Sequence, residues 1–359
     1  MSKTPYLPLF ELTRGDTVES IHDGAIAVVD VYGKLIASFG DPDTVTFLRS
    51  TAKPFQALPF FEHNGPAVFD FTSPEKAIVC ASHSGTDEHV AVVQSIQRKV
   101  GVSEAALLCG VHKPYHELTA ERIHDHKEPL TSNRHNCSGK HTGMLSYVAL
   151  KQRTGESAPA EVEYINPAHP IQKEILQTFA EMCALPVEQV HLGVDGCSAP
   201  NFAVPLRNAA WAFARLCDPE AGDVQPPARA LACHAITSAM MSSPEMVGGP
   251  GRFDTALMQT TQGRIVSKAG AEAYQGIGLM PGALGPGSPA LGIAMKIADG
   301  DDRRKVRTAV ALEILRQLGA LFAVEMDALA GFGPTYSLYN WRKILVGRAY
   351  PTFELAWNR

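Results

Sequence analysis

A serine and a lysine three positions apart, Ser50 and Lys53 in RSTAKPFQ, have the types and spacing of a nucleophile with its own base. A serine hydroxyl attacks poorly at neutral pH unless a neighbouring group takes its proton, and a lysine amine can do so once it is neutral. Neutrality at pH 7 means moving the lysine about 3.4 units from its reference pKa, roughly 4.6 kcal/mol. Burial can shift a lysine by up to about 3 to 5 units, and a second ammonium nearby pushes the same way. The motif alone is common: a chain this long should hold roughly one or two S-x-x-K matches by chance, and Ser73-Pro74-Glu75-Lys76 is another. That copy reads as helix capping. The first differs because Pro54 fits a helix cheaply only in its first turn, which puts Ser50 at a helix N-terminus. There the free N–H groups can stabilise an oxyanion. A plain capping role for Ser50 stays open.

Two further segments add to the pattern. Enzymes that use an S-x-x-K serine also carry a polar serine segment and a Lys-small-Gly stretch on a strand beside the site. Ser82-His83-Ser84-Gly85 and Ser267-Lys268-Ala269-Gly270 follow in that order. Ser82 could equally be a helix-end residue and Lys268 an exposed strand lysine. His83 stands where the acid of a Ser-Asp-Asn segment would be, which weakens a β-lactamase reading. A second dense region, RHNCSGKHTGMLSYVAL (134–150), packs His135, Cys137, Lys140 and His141 together, and GVDGCSAPNF (193–202) holds Asp195 and Cys197. Thiolate and imidazole are the usual zinc donors, but the spacing matches no common zinc-finger pattern. Two buried thiols beside a glycine-rich turn are the alternative.

Positioning such residues takes a substantial core, and 359 residues with 45% hydrophobic content allow one large domain or two intimate ones. Residues 24–39 read as a hairpin with Gly33 in its turn. Helical spacing follows at 50–62, from a capped start at Thr72–Glu75, and at 87–100, 138–152, 169–183, 205–216, 228–241 and 302–323. Strand character marks 189–196, 264–270, 291–298 and the tail TYSLYNWRKILVGRAY. Pro- and Gly-rich stretches at 218–230 and 281–290 read as loops. The pattern predicts an α+β fold in which N- and C-terminal segments share one antiparallel sheet, with a helical middle at about 50–245, all in a single domain 1–359. A net charge of -5 and scattered basic residues argue against a nucleic-acid partner. Apolar runs too short to span a membrane, and an N-terminus with an early Lys3 but no apolar h-region, read as a soluble cytoplasmic protein. Seven cysteines, an odd number with no C-x-x-C pair, read as reduced thiols.

Taken together, RSTAKPFQ, CASHSG, NCSGKHTGM, VDGCSAPNF, SKAGAE and the opening GAIAVVDVYGKLIASFGDP resemble the asparaginase II family, the rhizobial-type L-asparaginases, from about residue 18 to 350. The resemblance implies an L-asparagine amidohydrolase with a serine β-lactamase- and glutaminase-like fold, working as a homodimer. It also implies two Ser-Lys tandems, Ser50 with Lys53 and Ser82 with Lys268, beside a zinc bound by Cys137, Lys140 and Cys197. The residues then allow Ser50 to attack the side-chain amide with Lys53 as base, while Ser82 and Lys268 relay the proton or orient the nucleophile; which of Ser50 and Ser82 forms the ester stays open. Asp195 is the candidate for the substrate ammonium and Arg49 for its carboxylate. Zinc fits a structural or substrate-orienting role, because a water-activating ion would make the serines redundant. Two other classes stay in view: a glutaminase-like or penicillin-recognising serine hydrolase, and a non-enzymatic zinc-responsive binding protein.

Overall fold

A computed structural model describes residues 4–156, 162–301 and 305–358. The chain divides into two compact units. One takes the residues up to Thr51, Val204–Gly222 and the chain from Thr260; the other takes Ala52–Ala203 and Asp223–Gln259.

The first unit contains a nine-stranded sheet. Its order from edge to edge is Tyr336–Tyr339, Leu345–Pro351, Leu7–Arg14, Thr17–Asp30, Leu291–Ile297, Tyr274–Leu279 and Ile265–Ala269. Leu35–Phe39 pairs with the second half of the long strand Thr17–Asp30 and carries Ala356–Trp357 on its other side. The ladders are antiparallel, and Leu7–Arg14 lies between its hairpin partner and the C-terminal strand Leu345–Pro351. Terminal segments therefore share one sheet, as the α+β reading predicted. Gly33, at φ 86, turns the chain between Asp30 and Leu35, a conformation that costs glycine little.

Helix Leu206–Cys217 packs on the strands Thr17–Asp30, Tyr274–Leu279 and Leu291–Ile297. Its buried Leu206, Ala209, Ala210, Phe213 and Cys217 recur at helical spacing and form one apolar face. The fit is close enough to need glycine beneath it. A Cβ added to Gly292 would lie 1.7 Å from the Ala210 carbonyl oxygen, and one on Gly276 would lie 2.3 Å from the Phe213 ring.

The second unit is mainly helical. Helix Lys53–Glu62 runs through its centre against Ser138–Arg153, Pro170–Met182 and Pro227–Ser242. Lys53, Pro54, Phe55, Gln56, Leu58, Pro59, Phe60 and Phe61 are all buried, as a helix covered on every side requires. Phe179 stacks on Phe202 with ring centroids 4.6 Å apart and meets Phe55 edge-on at 6.0 Å. Two strands, His191–Val194 and Pro200–Pro205, pair antiparallel from His191 opposite Ala203 to Val194 opposite Pro200.

Most of the predicted helices lie within a residue or two of their expected ends. The exception is 302–323: the helix is Val306–Gln317, and the residues 302–304 of the expected start, like Lys3, lie outside the described residues. It stops early because Gly319, at φ 68, takes the left-handed conformation, and the Ala320 N–H closes back on the Leu315 carbonyl. The Ser73–Lys76 copy of the motif is a helix start, with the Thr72 N–H donating to Glu75 Oε2 at 2.7 Å.

Candidate active site

The segment Ala81–Thr86 is irregular and buried, and its backbone is held from both sides. The Ser82 N–H donates to the Val247 carbonyl at 3.0 Å, the His83 N–H to Asn136 O at 3.2 Å, and Ser84 Oγ to Gly248 O at 2.8 Å. Ser82 thus points from a fixed frame. Lys53, 1% exposed at the start of the central helix, reaches it: Nζ donates to Ser82 Oγ at 3.0 Å, to the Ala81 carbonyl at 2.5 Å and to Cys137 Sγ at 3.2 Å.

Cys137 caps the helix Ser138–Arg153, whose first turn approaches the Ser73–Ile78 helix closely. A Cβ on Gly139 would sit 2.1 Å from Ile78 O, so glycine lets the helix turn that carries Cys137 and Lys140 pack on the end of that helix. Lys140 Nζ is 2.9 Å from Cys197 Sγ, and Cys197 Sγ is 3.2 Å from Asp195 Oδ2. The donor atoms of Cys137, Asp195 and Cys197 all lie within 4.8 Å of one another.

The two thiols share one proton's worth of stabilisation. A hydrogen bond from Cys197, supported against burial by Lys53 and Lys140, holds the Cys137 thiol well below the usual range. The same bond, together with burial, pushes Cys197 up to about 11. Cys137 is therefore the thiolate and Cys197 its donor. Burial disfavours the charge on Lys140, yet Cys197, Cys137 and Asp195 outweigh it and raise its pKa. Cys109, a neighbour of both, is pushed up to about 12, by burial first, and stays a thiol.

Histidines brace this cluster. His135 Nδ1 accepts the Cys137 N–H at 3.0 Å, and burial drives the ring down to about 3. His83 is fully buried, with Nε2 2.9 Å from Ser138 Oγ and Nδ1 accepting the Gly85 N–H at 3.2 Å. It ties the serine segment to the helix that carries Lys140 rather than supplying an acid. Burial, then the stacked His89, pushes it well below its ordinary value, and His89 is itself lowered, mainly by burial.

A pH effect on stability follows. Above about pH 6.5 these histidines are neutral whether the chain is folded or not. Below it the unfolded chain binds protons that the fold refuses, so unfolding free energy should fall with pH, by about 1.4 kcal/mol per unit for His83, with His89 adding in the same direction. Urea unfolding at pH 7.5, 6.5 and 5.5 checks this. Equal stability at 6.5 and 5.5 would mean that His83 is charged in the fold.

Ser50, Arg49 and Lys268 belong to the sheet unit. Ser50 is half-buried in the 3-10 turn Arg49–Ala52, directly ahead of helix Lys53–Glu62 with Pro54 in its first turn. Arg49 adopts φ 53, an uncommon conformation for a side-chain-bearing residue, and its guanidinium is 3.7 Å from Glu272. Lys268 is fully buried on strand Ile265–Ala269, with Nζ donating to the Ala269 carbonyl at 2.7 Å. Thr51 Oγ1 donates to the Lys268 carbonyl at 3.1 Å and fastens the Ser50 turn to that strand.

Among the described residues the structure thus joins Lys53 to Ser82 and Cys137, and Lys140 to Cys197 and Asp195. Sequence reading did not foresee the supporting roles of Asn136, Ser84, Ser138 and His83. Only the crowding of polar residues around them hinted at these roles.

Comparison with known proteins bears on what such a cluster belongs to. No curated protein matches the chain. Among solved structures, the glutaminase YbgJ of Bacillus subtilis, in a covalent complex with 5-oxo-L-norleucine, is similar at 14% identity over 82% of this chain and 87% of that one, with a TM-score of 0.37. Mglu in its native form in 4.3 M NaCl is similar at 15% identity, over 86% of this chain but 63% of its own length, with a TM-score of 0.35. Overlap at those scores is loose. The family profile described as L-asparaginase II, by contrast, matches residues 10–351, nearly the whole described chain with every motif discussed above. By that match the chain belongs to the L-asparaginase II family, a family of amidohydrolases.

Proposed function

We propose that this amidohydrolase takes L-asparagine and cleaves its side-chain amide through a serine ester, giving L-aspartate and ammonia. The observation that carries the reading is the buried Lys53 amine, 3.0 Å from Ser82 Oγ, inside a chain of this family. As an ammonium, Lys53 has three N–H bonds, and Ala81 O, Ser82 Oγ and Cys137 Sγ supply three acceptors. Once deprotonated it offers a lone pair to a serine hydroxyl.

Ser50 is the attacking oxygen. Attack needs access, and Ser50 is half-buried where Ser82 is 7% exposed. Arg49 immediately before it holds a left-handed conformation that costs about 1–2 kcal/mol, and backbone strain of this kind gathers at functional turns. Ser50 Oγ bonds to the amide carbon as Lys53, one helical turn on, takes its proton. The C–N bond then breaks, and the nitrogen leaves as ammonia with a proton returned through Ser82. Water cleaves the ester by the reverse path. On the family resemblance Lys268 is assigned to the second Ser-Lys pair, N–H groups at the start of the helix are assigned to the oxyanion, Arg49 to the substrate carboxylate and Asp195 to its ammonium.

Zinc is assigned to Cys137 and Cys197 with Lys140 as the third donor. Zinc bonded to two thiolates at about 2.3 Å puts the sulfurs roughly 3.8 Å apart, which suits donors within 4.8 Å of one another. When bound, the ion supplies a fixed positive charge that orients the cluster and the substrate. Lys140 coordinates only as a free amine, so metal affinity falls with pH.

Ammonia release from L-asparagine and from L-glutamine by the purified protein tests the assignment. Turnover of asparagine is expected. Release from neither amide would overturn the reading, and a higher kcat/KM for glutamine would reassign the substrate.

A further inference from the structure

We infer that His83 is a positioning residue for Ser82: a one-way chain of hydrogen bonds from Glu104 to the His83 ring sets the direction in which the serine points. Its effect on rate rests on the reading above, in which Ser82 returns the proton to the leaving nitrogen. Every link lies within the helical unit.

Each link has a single possible direction. The half-buried Glu104 carboxylate can only accept. It takes the Asn133 backbone N–H at 2.8 Å and Asn133 Nδ2 at 3.1 Å. That leaves the Asn133 amide oxygen to accept from Gln97 Nε2, at 2.7 Å. The Asn133 carbonyl likewise only accepts, and Ser138 Oγ donates to it at 2.8 Å. With that hydrogen used, Ser138 Oγ is the acceptor for His83 Nε2, 2.9 Å away. At the other ring nitrogen the Gly85 N–H is the donor, at 3.2 Å, so Nδ1 carries no hydrogen. His83 is therefore the neutral Nε2–H tautomer, fixed by partners that cannot reverse their roles. Asn133, Ser138 and His83 are at most 1% exposed, so water has little access to the chain.

The chain acts on Ser82 through geometry. One short segment holds His83 at two points: the Asn136 carbonyl accepts its backbone N–H at 3.2 Å, and Ser138 meets its ring. Two attachments fix rotation as well as distance. Ser82 is the residue directly before, and its own N–H is held by the Val247 carbonyl at 3.0 Å. The backbone is thus pinned on both sides of the Ser82 Cα, with Oγ 3.0 Å from Lys53 Nζ.

Two measurements on the full chain test the role. Amide hydrogen exchange, read by mass spectrometry, should quicken over residues 81–86 in His83→Ala and stay near the wild-type rate in His83→Gln, which still presents an N–H to Ser138. Unchanged exchange in His83→Ala would overturn the positioning role whatever the substrate. In the second measurement, kcat for L-asparagine should fall about 10- to 100-fold in His83→Ala, the size of loss that a small misplacement causes, with KM unchanged and most of the rate recovered in His83→Gln. Made in a Ser82→Ala background, the same change should cost nothing further, because a residue that acts through Ser82 has nothing left to position. A second loss of full size there would mean that His83 supports the fold at large, and would overturn the role. Wild-type kcat in Ser82→Ala would remove the relay reading alone, and the exchange result would still decide the strut. Should His83→Ala fail to fold, His83→Met, which fills the space without either ring hydrogen bond, takes its place in each comparison.

Discussion

Replacing Lys53 by methionine should lower kcat for L-asparagine by at least about a thousandfold, or about 4 kcal/mol of transition-state stabilisation. Methionine keeps the length and apolar stem of the side chain and removes an amine that touches both Ser82 Oγ and Cys137 Sγ. KM should move little, because Lys53 handles the proton of the serine and makes no contact with the zwitterionic end of the substrate in the proposed path. Ser50→Ala should lose as much, and the double variant no more than either single one, since a nucleophile and its base act as a unit. Ser82→Ala should lose less, roughly a hundredfold, because it relays a proton that water can also carry. The decisive measurement is the site of the ester. Acid-quenched Ser82→Ala should still carry an aspartyl adduct on the peptide that contains Ser50, read by mass spectrometry. An adduct on Ser82 in wild-type protein would exchange the two serines. Near-full activity in Lys53→Met would remove the Ser-Lys chemistry altogether. Methionine also leaves the Cys137 sulfur with one donor fewer, so rates must be normalised to folded protein.

How far such a site can be read from sequence depends on whether its determinants are local. Pro54 fixes the start of its helix by a constraint inside one residue, and the Thr72–Glu75 cap is made within four, so both were legible. Ser82 was legible as a candidate but not as a placed group. Its frame comes from Val247, Gly248 and Asn136, which lie far along the chain and act through backbone carbonyls that no side-chain pattern records. Asp195 read as a charge for the substrate, and its closeness to Cys197 is a property of the turn between two paired strands. The strand Tyr274–Leu279 was missed for a different reason. Its sequence, YQGIGL, carries two glycines that lower strand propensity, and those glycines are there because helix Leu206–Cys217 must lie on them. Local preference argued against the element, and tertiary packing required it.

That packing makes a strong prediction of its own. Gly292→Ala adds a single methyl group, yet the protein should lose about 3 kcal/mol of stability, the upper end of the usual range for overpacking. Most small-to-large changes meet a side chain that can rotate aside. Here the new Cβ would stand 1.7 Å from the Ala210 carbonyl oxygen and 2.6 Å from the Ala214 nitrogen, both helix backbone atoms. Relief requires moving the whole helix Leu206–Cys217 off the sheet, and that helix covers three strands at once. Lifting it would loosen the contacts of Phe213, which is fully buried. The same added methyl group at Gly287, where nothing lies within 4 Å, meets no obstacle, though φ 79 there disfavours any side chain by about 1–2 kcal/mol. Urea midpoints for the two variants therefore separate steric from conformational cost, and Gly292→Ala should be the less stable of the pair. Equal midpoints would mean that the helix does not press on the sheet as closely as this packing requires.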